Sequence, residues 1–398
     1  MSDEFQLRQR AVRLRLAGNP VTFICTLLKR SRDWFYKWWQ RFQEHGADGL
    51  HDQSRAPKTS PRRLSLEVRQ AIATIRDRLA RRYGPHDRYR LAGAATIQHE
   101  LELLGFTPPP SLRQIDRELL RTGRTNPAFR VQPTVAAAQD TGPQASYSNH
   151  VHQFDLVGPR YLKGSHARYY FLVYKDAYDQ TPYVEFHRAP TLDMVLAFLV
   201  RAWQRLGLPR VLQTDNGRLF AGTGRWPGSI NRFIRLVLLV GIELVFIPEG
   251  EPFRNGSAEN FNGWFQERLL SIRLHGPAHV RRELDVLMEV CFQEHVHPHL
   301  GLRTPKEVRR TLLPRRLPAN FKRHLQPLPI PVGKVTFIRK VRPSGRITVL
   351  DVKVHVSKRL KGRYLRATLY TRTARLKIYQ GRVLVKEMLF PIRGSRRV

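Results

Sequence analysis

Between Asn149 and Phe246 the β-runs come before the helices, and this order constrains the fold more than any other feature of the chain. Asn149–Leu156, Tyr169–Lys175 and Pro182–Phe186 are rich in β-branched and aromatic residues, which predicts an antiparallel meander. Helix and strand then alternate. Thr191–Leu206 is a capped amphipathic segment, Arg210–Thr214 a buried strand, Ile230–Val240 a helix and Glu243–Phe246 a strand. The expectation is an α/β domain in the middle of a longer, multidomain chain.

Three acids fall where these elements should end or begin. Asp155 lies in H-Q-F-D-L-V-G-P, where an apolar run meets a Gly-Pro break and a strand is expected to stop. Asp215 lies in V-L-Q-T-D-N-G, an apolar run ending in a turn signal. Glu259 lies in N-G-S-A-E-N-F-N-G-W-F-Q-E-R-L-L, where Ser257 is expected to cap a helix whose first turn holds the Glu. Taken singly, each has a plain structural reading: a solvated strand end, a turn, a complement to a helix dipole. Gathered together, and without Cys or His, they make an all-oxygen ligand set suited to Mg²⁺ or Mn²⁺. Asp176, at the close of the second strand, reads as a turn cap rather than a ligand.

The blocks D-L-V-G-P, T-D-N-G and N-G-S-A-E-N-F-N resemble the catalytic signature of DDE transposases and retroviral-type integrases, in particular insertion-sequence transposases with an integrase core. The resemblance implies an RNase H-like catalytic core over residues 147–312. That core is a mixed five-stranded sheet flanked by helices, with Asp155, Asp215 and Glu259 as catalytic metal ligands for two ions. It also implies a DDE-type polynucleotidyl transferase, which cleaves transposon ends with water and joins them to target DNA through the freed 3′-hydroxyl. In-line displacement between two ions needs no protein nucleophile. Two rivals stay open on the sequence: a DNA-binding regulator that has lost catalysis, and an RNase H-like nuclease without strand transfer.

The third carboxylate is contestable. The family's usual interval after the second Asp favours Glu251, with 35 residues between, over Glu259, with 43. Glu251, however, lies between Pro248-Glu249-Gly250 and Pro252, a context biased away from helix. Glu259 precedes an apolar-periodic stretch (Phe261, Trp264, Phe265, Leu269) that can fix its direction by packing. The surplus is assigned to the Gly-rich insert Ala221–Ser229. Glu267, two turns further on, is the weaker alternative.

Charge supplies the partner. The chain of 398 residues carries 69 Lys+Arg against 32 Asp+Glu, a net +37 that points to a polyanion. No run of 18 apolar residues exists and Met1–Arg10 is not signal-like, which sets a membrane aside. Cys25 and Cys291 offer no disulfide framework and suit a cytoplasmic, nucleoid-associated location. Residues 148–270 are close to neutral at +3, whereas 331–398 carry +17. The flanks are therefore expected to hold double-stranded DNA, transposon ends and target, while the centre works on it.

In the N-terminal flank, helices over Glu4–Ala17, Val21–Leu28 and Arg32–Glu44, the last capped by Ser31, predict a helix-turn-helix in residues 1–50. Arg32, Lys37 and Arg41 are its candidate phosphate contacts, and its aromatic stripe reads as core. A second trihelical unit is expected over 62–124, between linkers at Asp52–Pro61 and 125–146. Residues 330–394 show six short β-runs that predict a small basic β-barrel, with Lys358, Arg359, Lys361 and Arg363 as DNA contacts. His295, His297 and His299 alternate in a Pro-bearing loop and are not read as a zinc site. Assembly as a homo-oligomer on DNA is expected. Need for an ATPase helper is left open by the sequence.

Overall fold

The structure is a computed structural model that describes residues 3–52, 63–81, 83–125, 142–162, 166–221, 226–248, 251, 255–322 and 325–393. Most of the two expected linkers (53–62 and 126–141), and 222–225 of the Gly-rich insert, lie outside the described residues. The chain divides into two compact units, Met1–Arg63 and Leu64–Val398. Among the described residues, no helix is long and apolar enough to cross a membrane.

The first unit is trihelical: α1 (Asp3–Leu16), α2 (Val21–Leu28) and α3 (Arg32–His45). Ser31 caps α3 by accepting from the Trp34 N–H at 3.1 Å, as the sequence predicts. Phe35 and Trp38 of the aromatic stripe are buried, one against Ile24 and Leu28, the other against Phe5 and Leu50. Arg8 spans this core. Its guanidinium lies 3.7 Å from the Trp38 ring centre, donates to the Leu50 carbonyl and pairs with Asp52.

The second unit opens with α4 (Leu66–Ala80), α5 (Pro85–Tyr89), α6 (Ala94–Leu103) and α7 (Leu112–Arg121). Ser65 caps α4, and Ser111 with Gln114 forms a capping box on α7. The short α5 occupies the Gly84-Pro85 break, where the sequence predicts no helix. It docks on α12 (Gly276–Gln293), where Arg88 pairs with the buried Glu283 and the Tyr89 hydroxyl donates to the same carboxylate at 2.7 Å.

The meander is present as β1 (Val151–Tyr161), β2 (Arg168–Asp176) and β3 (Pro182–His187). Then follow α8 (Leu192–Leu206), β4 (Val211–Thr214), the four-residue α9 (Arg218–Ala221), α10 (Arg232–Leu239) and β5 (Glu243–Phe246). β1 is antiparallel to β2 and parallel to β4, which is parallel to β5. The expected five-stranded mixed sheet therefore has the order β3-β2-β1-β4-β5. Helices α8 and α10 cover one face through Phe154, Leu212, Leu244 and Trp203. Helix α11 (Gly256–Leu269) and α12 cover the other, packing Phe265 and Leu287 on Phe171 and Val173.

Two expectations about strand ends are corrected. β1 does not stop at Gly158-Pro159. It continues to Tyr161 through a register shift between Val157 and Arg160, where the missing Pro159 N–H falls outside the ladder. The C-terminal β-runs do not close into a separate barrel. β6 (Lys334–Lys340) pairs parallel with β5, and β9 (Tyr364–Tyr370), β10 (Arg375–Gln380) and β11 (Val383–Leu389) extend outward from it, making one nine-stranded sheet. Among the described residues, only β7 (Arg346–Val349) and β8 (Val352–His355) stand apart as a hairpin. The reason is the apolar edge that β5 would otherwise leave open. Val335 and Phe337 are fully buried on the core side, and Phe337 stacks on Phe246 at 5.1 Å between ring centres.

The C-terminal strands are thus part of the core. Truncation at Pro331 is expected to abolish the cooperative unfolding transition of the second unit, because it uncovers β5 and removes the buried row Leu365, Ala367 and Leu369. Phe337→Ala in the full chain should cost about 3–5 kcal/mol in denaturant titration. A truncated protein that melts cooperatively near the full-length temperature would contradict this.

Candidate active site

Strand register builds the site. The last parallel pair of β1 and β4 is Phe154 with Thr214, so Asp155 and Asp215 are the next residues of neighbouring strands. Parallel strands lie about 4.8 Å apart, and residues at one register project to the same face. Asp155 therefore sits at the end of the β1–β4 ladder although β1 itself runs on beside β2. Gln153, two residues before it, looks toward α11, while Phe154 looks toward α8 and α10.

The two aspartates are aimed by hydrogen bonds. Asp155 Oδ1 accepts from the Leu156 N–H at 2.9 Å, and Oδ2 accepts from Asn262 Nδ2 at 2.6 Å. Asp215 Oδ1 accepts from the Gly217 N–H at 2.9 Å, closing an Asx turn in Asp-Asn-Gly. Glu259 stands in the first turn of α11, one turn before Asn262. The expected cap is corrected here. Asn255 precedes the helix without a side-chain cap bond, and Ser257 lies inside the first turn, its Oγ donating to Gln180 Oε1 at 2.9 Å.

Electrostatics tie the three acids together. Burial pushes Asp155 above its usual range, and the neighbouring Asp215 adds to the rise. Asp215 is raised by burial against its bond from Gly217, and Glu259 by burial and then by Asp155. The like charges lie near enough to oppose each other's ionisation. Even so, among the described residues no three His, Cys, Asp or Glu side chains converge tightly enough to hold a metal as they stand.

The other acids are elsewhere. Glu251 bonds the Tyr364 hydroxyl of β9 and, with Arg339, Lys340, Arg342 and Lys361, lines a cleft of about 410 Å³. Glu267 is exposed and faces Arg268. Asp176 is a fully buried hub: it accepts from the Asn149 and Tyr178 N–H groups, as a turn cap does, and also contacts His152 and Arg309 of α13 (Pro305–Arg309). Its carboxyl is held down at about 2, with His152 and Arg309 overcoming the opposing effect of burial. His295 and His299 each bond a backbone carbonyl, of Tyr89 and Tyr178, and the buried His295 falls to about 4.

Sequence reasoning missed the connection between the C-terminal strands and the Asp215 turn. Arg339 of β6 donates to Asn216 Oδ1 at 2.6 Å and to the Thr348 carbonyl at 2.9 Å, and Asn216 Nδ2 reaches the Ile247 carbonyl. No local pattern announces a bond between residues so distant in sequence. The basic candidates lie on the surface: Arg32 and Lys37 on α3, and Lys358, Arg359, Lys361 and Arg363 in the turn before β9, are exposed. Arg41 is half-buried, 4.8 Å from the Trp38 ring centre.

Residues 7–58 match the helix-turn-helix domain family. Among solved structures, the chain is similar to the HTLV-2 integrase catalytic core domain in complex with magnesium, at 18% identity over 42% of this chain and 100% of that one, with a TM-score of 0.34. It is similar to the simian T-cell lymphotropic virus intasome in complex with PP2A regulatory subunit B56 gamma, at 17% identity over 75% and 92%, with a TM-score of 0.36. It is also similar to the BIV integrase catalytic core domain, at 18% identity over 40% and 93%, with a TM-score of 0.32. Superpositions this loose transfer no residue and no activity.

The raised carboxyls carry a stability consequence. A carboxyl whose folded pKa lies above its unfolded value stabilises the fold below the unfolded pKa and loses that contribution as pH rises through the folded one. Asp215→Asn keeps the oxygen that accepts from Gly217 and removes one charge from the cluster. At pH 7, without divalent ions, it should raise the melting temperature by on the order of 2 °C, and the gain should vanish below about pH 4. A variant that melts lower than wild type at pH 7 would show that the charges do not oppose each other.

Proposed function

We propose that this protein is a DNA transposase or integrase, cutting DNA at specific ends and joining the freed 3′-hydroxyl to target DNA with a divalent cation held by Asp155, Asp215 and Glu259. The observation that carries the reading is the placement of Asp155 and Asp215 side by side at the end of one parallel ladder, with Glu259 close enough to feel Asp155.

The residues fit a hard cation. The donors are all carboxylate oxygens, their mutual repulsion is what a shared cation offsets, and Asn262 Oδ1 is buried without a partner in the residue that holds Asp155. Glu259 completes the set only by turning toward the pair. A bound Mg²⁺ or Mn²⁺ would supply positive charge for phosphoryl transfer. The chain's own groups keep that place in order: Asn262 orients Asp155, the Gly217 N–H orients Asp215, and the rigid sheet fixes their spacing. No Ser, Cys or Lys nucleophile is required.

DNA is held by the flanks. The helix-turn-helix would read an end sequence through α3, with Arg32, Lys37 and Arg41 on phosphates. The C-terminal surface with Lys358, Arg359, Lys361 and Arg363 would hold the duplex without sequence preference, and two copies would pair two ends.

The test is cleavage and strand transfer on a labelled substrate carrying the element's ends, in Mg²⁺ and in Mn²⁺. Asp155→Asn and Glu259→Gln should lose at least about 10³-fold in rate and still bind DNA. Glu251→Gln should stay within a few-fold of wild type, and Glu267→Gln should show a weak effect. Active Glu259→Gln beside dead Glu251→Gln would overturn the assignment, and cleavage without any joined product would favour a nuclease.

For the flanks, the salt dependence of binding is the readout. Lys361→Ala with Arg363→Ala should reduce the slope of log K against log salt by about 0.9 for each phosphate no longer neutralised. Changes at Arg32 and Lys37 should also narrow the gap between end sequence and random DNA. Unchanged slopes would remove these residues from the interface.

A further inference from the structure

One step behind the carboxylates lies a row of buried polar side chains. Lys175, Gln153 and Gln213 stand at one register on β2, β1 and β4, Gln153 opposite Lys175 on one side and Gln213 on the other. Their exposures are 6%, 8% and 1%. Buried polar groups cost free energy unless they find partners, and these three find theirs on the start of a single helix. Gln153 Oε1 accepts from the Ala258 N–H at 3.0 Å, Lys175 Nζ donates to the Ser257 carbonyl at 3.2 Å, and Gln213 Nε2 reaches Asn255 Oδ1 at 3.4 Å. Asn255 Nδ2 then donates to the Phe154 carbonyl at 3.3 Å. The strand from which each bond comes is thereby identified, and the turn so gripped is the one that carries Glu259.

The spacing is informative. Gln153 and Gln213 each precede an acid by two residues and so share its face of the sheet. An apolar row could bury the same surface, but apolar contact is non-directional, whereas hydrogen bonds fix distance and angle. Sliding α11 by one residue moves a side chain about 1.5 Å along the axis and rolls it by about 100°, enough to turn Glu259 away from Asp155. Phe261, Phe265 and Leu269 anchor the rest of the helix in the core by apolar contact, to which the polar row adds directed bonds at the first turn.

We propose that Lys175, Gln153 and Gln213 are positioning residues that set the register and roll of α11, bringing Glu259 to the cation held by Asp155 and Asp215. This rests on the reading of those three acids as the cation-holding set. All three are buried against the start of α11. Its effect passes through Glu259.

The experiment uses the full-length protein and two readouts: Mn²⁺ binding by calorimetry without DNA, and cleavage rate. Gln153→Leu removes the acceptor while keeping the bulk. It should weaken Mn²⁺ binding and lower the rate by about 10–100-fold, the usual effect of losing a residue that orients a ligand, with DNA affinity unchanged within about two-fold. Gln153→Glu keeps an oxygen for the Ala258 N–H beside Lys175 and should restore both to within a few-fold. In a Glu259→Gln background, Gln153→Leu should have no further effect on Mn²⁺ binding. If Gln153→Leu does not fold, as judged by circular dichroism, Gln213→Met carries the same expectation. Wild-type Mn²⁺ affinity and rate in the folded Leu or Met variant, with Asp155→Asn inactive, would overturn the positioning role and leave the site standing. A further loss in the Glu259→Gln background would show that the row acts on the fold alone, which also overturns it. An active Asp155→Asn would instead bring down the reading of the site.

Discussion

The parallel pairing of β1 with β4 is the constraint on which the rest depends. Its four residue pairs end at Phe154 and Thr214, and the next residue on each strand is an aspartate. Two carboxylates brought to neighbouring positions repel, and burial on one side deepens the penalty for ionising them. A protein selected for stability alone would place Asn or Thr there. The surroundings instead hold each acid by directed bonds from Asn262, Leu156 and Gly217, which preserve the geometry at the expense of local stability. Strain of this kind, kept in place by a sheet buried on both faces, is where function is expected to sit.

Helix α11 answers the same constraint from the other side. Its apolar residues join the core with Phe171 and Val173, while its first turn lies over polar strand positions rather than apolar ones. Asp176 plays a comparable part at the opposite end of the β1–β4 ladder. Arg309 joins Asp176, Asp179 and the Leu206 carbonyl, so the segment after α12 is locked to the ends of β2 and α8. The two ends of these strands therefore use similar residues differently. At Asp176 an arginine balances the charge and the carboxyl is held low. At Asp155 no described cation does so, and the carboxyl is raised.

Much of this was legible in the sequence because it is locally encoded. The β-rich runs give β2, β3 and β5 within a residue or two, and Ser31 and Thr191 mark helix starts that the structure confirms as side-chain caps. Where reasoning went astray, a distant partner decided. Gly158-Pro159 reads as a terminator, yet β2 continues the pairing past it. Ser257 reads as a cap, yet Gln180 takes its hydroxyl. The C-terminal strands alternate as a barrel would, and nothing in them reveals that β5 offers an edge to Val335 and Phe337. In the candidate site, the elements bearing Asp155, Asp215 and Glu259 could be foreseen. The row of Gln153, Gln213 and Lys175 could not, because its meaning lies in cross-strand register.

Fusion of the C-terminal strands to the core has a mechanical consequence that a tethered barrel would lack. A module on a flexible linker samples many orientations, so its cations favour DNA binding without fixing where the DNA lies. Here β6 is hydrogen-bonded to β5, and β5 to β4, the strand that ends at Asp215. Arg339 shortens the path further: one side chain lines the basic cleft and bonds Asn216, the residue after Asp215. Lys340 is therefore held by main-chain pairing in the same sheet as the carboxylates, with Arg342 and Lys361 in the hydrogen-bonded turns beside it. A polyanion lying along them would be presented to Asp155 and Asp215 in a fixed register, with its orientation settled by the fold before binding.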